Sequence, residues 1–304
     1  MSLPAYAQRW ERVWYYLFRV FCILVLLFLV LPVLIIIPLS FNAEPYFTFT
    51  EGMLRFDPTA YSLRWYLDMF ENGMSNRDLP TGSWEWLVQA WQDGQWIHSA
   101  KNSIAIAAGA TVLSTVLGTL AALGLSQSTM PAGRLIMALL ISPIIVPIIV
   151  TSASLFFLFS KLGLANTYLG IVLAHTVLGT PFVVITVTAA MTGFDRSLIR
   201  AGQMLGAPSH VIFFRVIMPL ILPGVISGAL FAFGTSFDEV VAVIFLADYE
   251  QRTIPRQMWA GIREQISPTI LAVASILVVL SIALLTVVEL LRRRSERLRG
   301  MRPS

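Results

Sequence analysis

Residues 200–224 read "RAGQMLGAPSHVIFFRVIMPLILPG" and interrupt a chain made largely of long apolar runs. The stretch contains two arginines, a Gly-Ala-Pro turn and two further prolines. It then continues into an apolar segment long enough to enter a membrane. Its polar part therefore lies at the boundary between a loop and a span. The side of the membrane on which it lies determines the direction in which the neighbouring spans cross.

The composition indicates a protein that is dissolved in lipid. Hydrophobic residues make up 57% of the 304 residues and charged residues 12%, with a mean hydropathy of +0.75. Soluble domains carry about 25% charged residues. The net charge of +4 does not indicate nucleic-acid binding, because the basic residues lie at the ends of apolar runs. The only cysteine, Cys22, excludes an intrachain disulfide and a cysteine-based metal site, and we expect a packed thiol there.

The apolar runs predict an all-α integral membrane protein with six transmembrane helices in a single permease domain over residues 1–304. Each run approaches the length of about 20 residues that a span requires, and prolines inside them are tolerated in membranes. The first run is too long for a signal peptide, and no A-x-A cleavage site follows it. The predicted spans are 20–41, 104–125, 135–159, 169–191, 216–237 and 268–288.

The basic residues predict that both termini are cytoplasmic. With that orientation 13 of the 21 Lys and Arg residues lie inside, including Arg196 and six arginines of the tail at 292–304. Such a bias is typical of multi-pass inner-membrane proteins. It also places the loop at 193–219 in the cytoplasm.

The predicted outer segment at 42–98 is long, acidic and rich in tryptophan. Because Trp and Tyr favour the headgroup zone, we expect short helices lying on the bilayer surface. Two interpretations stay open for this segment: a solvated cap over the spans, or a docking surface for a soluble partner.

The cytoplasmic stretch has the pattern of a helix, a glycine turn and a second helix. Asp195 is placed to cap the first helix and Gly206 to end it in the left-handed conformation, after which Pro208 prevents its continuation. We expect Ser209 to cap a second helix over 210–217. One face of the first helix carries Leu198, Ala201, Gly202 and Leu205.

Two interpretations of that first helix differ in what it contacts. A helix lying on the inner leaflet would need bulky anchors and a Lys/Arg-rich polar face. Ala201 and Gly202 at the centre of the apolar face are poor anchors. A protein–protein contact is therefore the better interpretation.

The loop resembles the EAA loop of binding-protein-dependent ABC importer permeases, Glu-Ala-Ala-x-x-x-Gly followed about a dozen residues later by Leu-Pro. Ala201, Gly202, Gly206 and Pro219 match, whereas Arg200 stands in place of Glu and Met218 in place of Leu. The similarity covers about 95–290 and is strongest to spermidine/putrescine permeases of the C type. It includes "ISPIIVPIIV" at 141–150, "LAHTVLGTPFVVITVTAAMTGFD" at 173–195, "SFDEVVAVIF" at 236–245 and "ISPTILAVASILVVLS" at 266–281.

The resemblance implies a type I ABC importer permease in a bacterial inner membrane, surrounded by lipid and binding no nucleic acid. Its partners would be a cytoplasmic ABC ATPase dimer, a second homologous permease and an extracytoplasmic substrate-binding protein. The implied ATPase-coupling residues are Arg200, Ala201, Gly202, Gly206, Ala207 and Pro219. ATP and Mg would bind the partner, because neither Lys101 nor Lys161 lies in a P-loop motif. We expect no cofactor, metal or catalytic site on this chain.

Three residues are candidates for the substrate path. Asp238 and Glu239 follow an apolar run of about 20 residues, and ionisable groups at membrane depth usually face a cavity. Asp238 is favoured as the deeper of the two, and polyamine ammonium groups would be natural counter-charges. The alternative is a solvated pair bridged to Arg252 or Arg256. His175, in the fourth predicted span, is more simply a hydrogen-bonded packing residue than a ligand.

Two other functional classes fit the sequence less well. An ion-coupled secondary transporter of small organic solutes usually shows repeated halves with discontinuous helices, and no duplication is visible here. A membrane enzyme would need a catalytic constellation, and none is apparent in the sequence. The substrate stays open among putrescine, spermidine, other amines, opines and phosphonates.

Overall fold

The computed structural model describes residues 8–127, 130–195, 197–264 and 267–298, so Arg196, residues 265–266 and the last six residues of the tail lie outside it. The described part is helical, as predicted, and its only extended pairing is an isolated bridge between Asn42 and Tyr61. The helices are α1 Arg9–Leu39, α2 Glu51–Leu54, α3 Arg64–Glu71, α4 Trp84–Asp93, α5 Gln95–Leu125, α6 Gly133–Ile145, α7 Ile148–Leu162, α8 Tyr168–Thr192, α9 Ser197–Met204, α10 Ser209–Ile212, α11 Met218–Phe237, α12 Val241–Leu246, α13 Ile254–Glu264 and α14 Thr269–Leu298.

Four of the predicted spans correspond to continuous helices long and apolar enough to cross a membrane. They are Arg9–Leu39, Gln95–Leu125, Tyr168–Thr192 and Ser209–Phe237. The sixth predicted span falls in α14, Thr269–Leu298. Phe28 and many other large apolar side chains of α1 are exposed, as suits a helix in contact with lipid.

The third predicted span, 135–159, is not a single straight helix. It breaks between α6 and α7 with a bend of 105°. Val146 is extended at φ −72° and ψ 132°, and Pro147 follows it as the N-cap residue of α7. A residue before proline is pushed out of the helical region, and proline itself cannot donate to the preceding turn. The prolines that we expected a span to absorb therefore break it.

The chain divides into two compact units, and the single permease domain stays a prediction. In the first unit, residues 1–78 and 264–304, α14 packs on α1 and α3. Short helices form in its acidic segment as predicted, and Trp65 is buried with its indole Nε1 donating to the Asn42 carbonyl at 2.7 Å. The Asp68 carboxylate accepts from the Thr269 hydroxyl, which ties α3 to the start of α14.

The second unit, residues 79–263, is built on the mutual packing of α5, α8 and α11. Glycines allow these helices to approach closely, as is typical of helix packing in membranes. A Cβ on Gly228 of α11 would lie 2.5 Å from Thr186 Oγ1 and 2.8 Å from Val183 Cα of α8. A Cβ on Gly179 of α8 would lie 2.8 Å from Ser114 Oγ of α5.

The three helices give this unit two distinct ends. Contacts between Asn102 and Tyr168 and between His175 and Ser236 bring the starts of α5 and α8 beside the close of α11. We call this the Asn102 end. The opposite end carries the loop between α8 and α11, and we call it the Gly206 end. The two ends are about 30 Å apart along α11, from 20 residues at 1.5 Å each.

Candidate functional site

At the Gly206 end, the predicted helix, turn and second helix are present. Asp195 Oδ1 accepts from the Ser197 backbone N–H at 2.8 Å, and Oδ2 accepts from the Ser197 hydroxyl at 2.6 Å. These bonds favour the carboxylate and lower the pKa of Asp195. Asp195 thus satisfies a free donor at the start of α9, as its capping role requires.

Gly206 adopts the left-handed conformation that the sequence predicts, with φ +74°. Its N–H donates to the Gln203 carbonyl, and the Ala207 N–H donates to the Gly202 carbonyl at 3.1 Å. These bonds close the last turn of α9, and the chain then reverses at Pro208, which is extended. The turn depends on Gly206 because an L side chain is disfavoured at that φ.

The exposed surface of α9 differs from the predicted one. Gly202 faces inward, where an added Cβ would lie 3.2 Å from the Cγ1 of buried Ile212. Gly202 therefore allows α9 to pack on α10, and its contact with another protein stays a prediction. Met204 and Leu205 are 88% and 87% exposed and form the apolar tip of the loop. Arg200 and Ala201 are exposed beside this tip.

The second half of the loop runs directly into α11. Ser209 is the first residue of α10 and not its cap, because Pro208 occupies the capping position and no side chain caps the helix. A π-helical turn at Phe213–Ile217 joins α10 to α11, and Pro219 lies in the first turn of α11. Proline is accepted there since the first-turn N–H groups have no helical partner.

At the Asn102 end, α11 stops at the predicted carboxylate pair, and the two residues have different environments. Asp238 is the C-cap residue of α11, and its side chain is exposed. Glu239 is 8% exposed, and its Oε1 accepts from the Ala242 N–H at 2.9 Å at the start of α12. Asp238 is thus the more exposed of the two side chains, and its greater depth in the membrane stays a prediction. Glu239 is buried at the start of α12, whereas Asp238 is the accessible carboxylate.

The ion pairs of the alternative interpretation, to Arg252 or Arg256, are absent from the described part of the chain. Arg256 donates to the carbonyls of Ala247 and Asp248 at 2.8 and 2.9 Å. Arg252 donates to Gln257 Oε1 at 2.9 Å, and its guanidinium lies 4.9 Å from the centre of the Tyr249 ring. Both cations hold the α12–α13 connection in place and leave the carboxylates of 238–239 without a basic partner.

His175 is a packing residue with a defined hydrogen bond. It is 1% exposed on α8, and its Nδ1 lies 2.7 Å from the Ser236 hydroxyl in the last turn of α11. This contact ties α8 to the helix end that precedes Asp238. The structure therefore brings His175 and Asp238 into one region, with the loop residues 200–207 at the opposite end.

A hydrogen-bonded cluster at the Asn102 end was not found from the sequence. The Glu250 carbonyl accepts from His98 Nε2 and from Asn102 Nδ2, each at 2.7 Å. The Tyr168 hydroxyl lies 2.9 Å from the same carbonyl and 3.1 Å from Asn102 Oδ1. His98 belongs to the first turn of α5 and not to a loop. Partners 66 to 152 residues apart leave no local signal in a sequence.

No group of three or more metal-ligating side chains occurs within the described ranges.

Residues 114–297 match the family described as the binding-protein-dependent transport system inner membrane component. The chain belongs to this family. Over 92% of its length it is 28% identical to the spermidine/putrescine transport system permease protein PotC of Haemophilus influenzae, of which 98% is covered. It is also 28% identical to the putrescine transport system permease protein PotI of Escherichia coli, over 82% of this permease and 81% of that relative.

A solved structure has the same fold. It is a chain from the crystal structure of a bacterial ABC transporter involved in the import of the acidic polysaccharide alginate. The TM-score is 0.67 at 16% identity, with 95% of this permease and 99% of that chain covered. The permease is thus a multi-pass inner-membrane protein of the ABC importer permease fold, and its family is a transport family and not an enzyme family.

Proposed function

We propose that this permease forms half of the translocation path of an ABC importer for a small polyamine-like cation. The observation that carries the proposal is the extent of similarity to spermidine/putrescine and putrescine permeases, which covers at least 81% of each chain. The exposed Asp238 carboxylate supports the sign of the cargo. An alkylammonium ion loses hydration in a low-dielectric bundle, and a carboxylate offsets part of that cost.

The proposed arrangement has six membrane crossings with both termini cytoplasmic, in which the broken pair α6–α7 counts as one crossing and α14 as the last. The bias of Lys and Arg supports the orientation. The Gly206 end would then be cytoplasmic and the Asn102 end outside. A binding protein would deliver the solute to the outer end, and a second related permease would complete the path.

The loop at 193–219 is proposed to dock into a cytoplasmic ATPase dimer that binds ATP and Mg. Its support is the exposed apolar tip of Met204 and Leu205 on a turn fixed by Gly206. Such an exposed pair suits a groove on a partner protein. Arg200 replaces the acidic residue usual in this family, so an acidic contact to the ATPase would reside on the partner permease.

The test is uptake of labelled putrescine and spermidine by the complete importer in membrane vesicles. Asp238→Asn keeps the size of the side chain and removes its charge, and we expect it to reduce uptake at least tenfold. Glu239→Gln should reduce uptake less, since the amide oxygen still accepts from Ala242. Glu85→Gln, at an exposed carboxylate of α4, is the matched control and should behave as wild type.

Two results would overturn this proposal. Wild-type uptake by Asp238→Asn, at normal protein levels, would make that carboxylate irrelevant to the path. Absence of any amine uptake by the wild-type importer, with uptake of a neutral or anionic solute instead, would exclude the polyamine-like substrate.

A further inference from the structure

A cavity of about 270 Å³, lined largely by polar residues, lies at the Asn102 end, where the α4–α5 corner meets the α12–α13 connection. The groups that matter for binding are Asp93, Gln95, His98, Tyr249, Glu250 and Gln257. The cavity lies wholly within the second compact unit, and none of the residues predicted for the substrate path lines it.

The cavity has a fixed floor. Asn102 donates to the carbonyls of Glu250 and Arg252 at 2.7 and 3.0 Å, and Ser103 Oγ accepts from the Ile254 N–H at 2.8 Å. His98 also donates to the Glu250 carbonyl, at 2.7 Å. All these bonds use the backbone of the 250–254 segment, so the Glu250 side chain takes no part in them. Its carboxylate is exposed and has no hydrogen-bond or ion-pair partner in the described part of the chain.

The charges around the cavity favour a cationic ligand. Its lining carries two carboxylates, Asp93 and Glu250, and one cation, Arg252. Arg252 donates to Gln257 Oε1 and lies over the Tyr249 ring, and both partners are neutral, so the lining keeps an excess of one negative charge. Lys101 does not line the cavity, and its ammonium donates to the Trp91 carbonyl at 2.6 Å and lies over the Trp91 ring.

The hydrogen-bonding groups of the cavity also favour a cation, because His98 offers an acceptor to it. A carbonyl only accepts, so the His98 nitrogen 2.7 Å from the Glu250 carbonyl must be the donor, and the neutral ring then presents Nδ1 as an acceptor. An ammonium group has three donors and no acceptor.

We propose that this cavity is a binding site for the ammonium group of a small alkylamine, an entry site that holds the solute before it reaches Asp238. The proposal rests on the polyamine-like function proposed above. The Glu250 carboxylate supplies the main charge, His98 Nδ1 accepts a hydrogen bond, and the fixed backbone of the 250–254 segment keeps the site in place.

The experiment is protection of a single cysteine in the complete importer. Gln92, an exposed residue of the cavity lining, is replaced by cysteine in a Cys22→Ser background and reacted with N-ethylmaleimide, which is neutral. We expect putrescine to slow this reaction in a saturable manner. The neutral isostere 1,4-butanediol should have no effect, and a cysteine placed at Glu85, on the same helix but away from the cavity, should react unchanged.

Removing the charge tests the assignment to Glu250. In Glu250→Gln the backbone bonds remain, and we expect the putrescine concentration for half-protection to rise about fivefold, the size of one exposed ion pair. In the protein that retains Glu250, protection is expected to weaken as salt is raised, because exposed charges are screened. This salt titration needs no charge variant and is informative even if Glu250→Gln fails to fold.

Three results would overturn the proposal: no protection by putrescine, equal protection by 1,4-butanediol, or unchanged protection in Glu250→Gln with no salt dependence. The uptake assay separates this failure from failure of the proposed function. An importer that takes up putrescine without protection at Gln92→Cys loses only the entry site. An importer that takes up no amine loses the proposed function itself.

Discussion

At the scale of single residues, Gly206 and Gly193 form a natural comparison within the loop at 193–219. A Cβ added at either position would have no atom within 4 Å, so neither glycine is sterically confined. Gly206 has φ +74°, whereas Gly193 has φ −91°. A difference between substitutions at the two sites therefore reports backbone conformation alone.

We expect Gly206→Ala to destabilise the loop by about 1–2 kcal/mol, the cost of a left-handed L residue, and Gly193→Ala to have little effect. Gly206→Val should be worse, because a β-branched residue is an outlier at positive φ. Limited proteolysis of the loop and association with the ATPase measure the change. Equal behaviour of the two alanine variants would contradict the assigned role of the turn.

The carboxylates 238 and 239 are adjacent residues of one chemical type that lie in different environments. Glu239 is hydrogen-bonded at the start of α12, where its Oε1 accepts from the Ala242 N–H, a group that no helical carbonyl reaches. Asp238 has no such bond among the described residues and stays accessible. The charge-removal experiment therefore separates a path residue from a capping residue.

At the scale of elements, the contact of α8 with α11 depends on glycine at the crossing. A Cβ on Gly228 would overlap Thr186 and Val183, whereas one on Gly234 of the same helix meets no atom within 4 Å. Both positions gain helix propensity from alanine, by up to about 1 kcal/mol. The difference in stability between alanine variants at the two positions therefore measures the cost of the close approach of α8 and α11.

We expect Gly228→Ala to lower the free energy of unfolding by about 1–3 kcal/mol, because an overpacked crossing forces α8 and α11 apart. Gly234→Ala should be neutral or slightly stabilising. Thermal unfolding of the purified protein in detergent gives both values. A Gly228→Ala variant as stable as Gly234→Ala would mean that the two helices do not pack as described.

At the scale of the whole molecule, the proposed orientation makes a simple prediction about access. In a Cys22→Ser background, a cysteine at Thr81 should react with an impermeant reagent added outside, and one at Ser209 only after the membrane is opened. Thr81 is a suitable probe because it is exposed, unlike nearby Ser83, whose hydroxyl caps α4 by accepting from the Trp86 N–H. Labelling of intact cells decides the question, and the opposite pattern would reverse the orientation.

The sequence by itself determined the class of this protein and the form of its loop at 193–219. Runs of apolar residues identify lipid as the solvent, and in lipid a chain satisfies its backbone by forming helices. The Asp195 cap and the left-handed Gly206 followed from local chemistry, since a short polar side chain and a glycine act within a few residues of themselves. The resemblance drawn from the motifs likewise led to the correct family.

Only the tertiary structure decided the features that depend on distant residues or on packing direction. Hydropathy measures how apolar a segment is and not whether it is straight, so the run 135–159 concealed the break at Val146, although Pro147 marked it. Gly202 lies against Ile212, His175 meets Ser236, and the Glu250 carbonyl gathers donors from α5 and α8. These contacts have no sequence period, because each is set by which helices pack together and at what height along their axes.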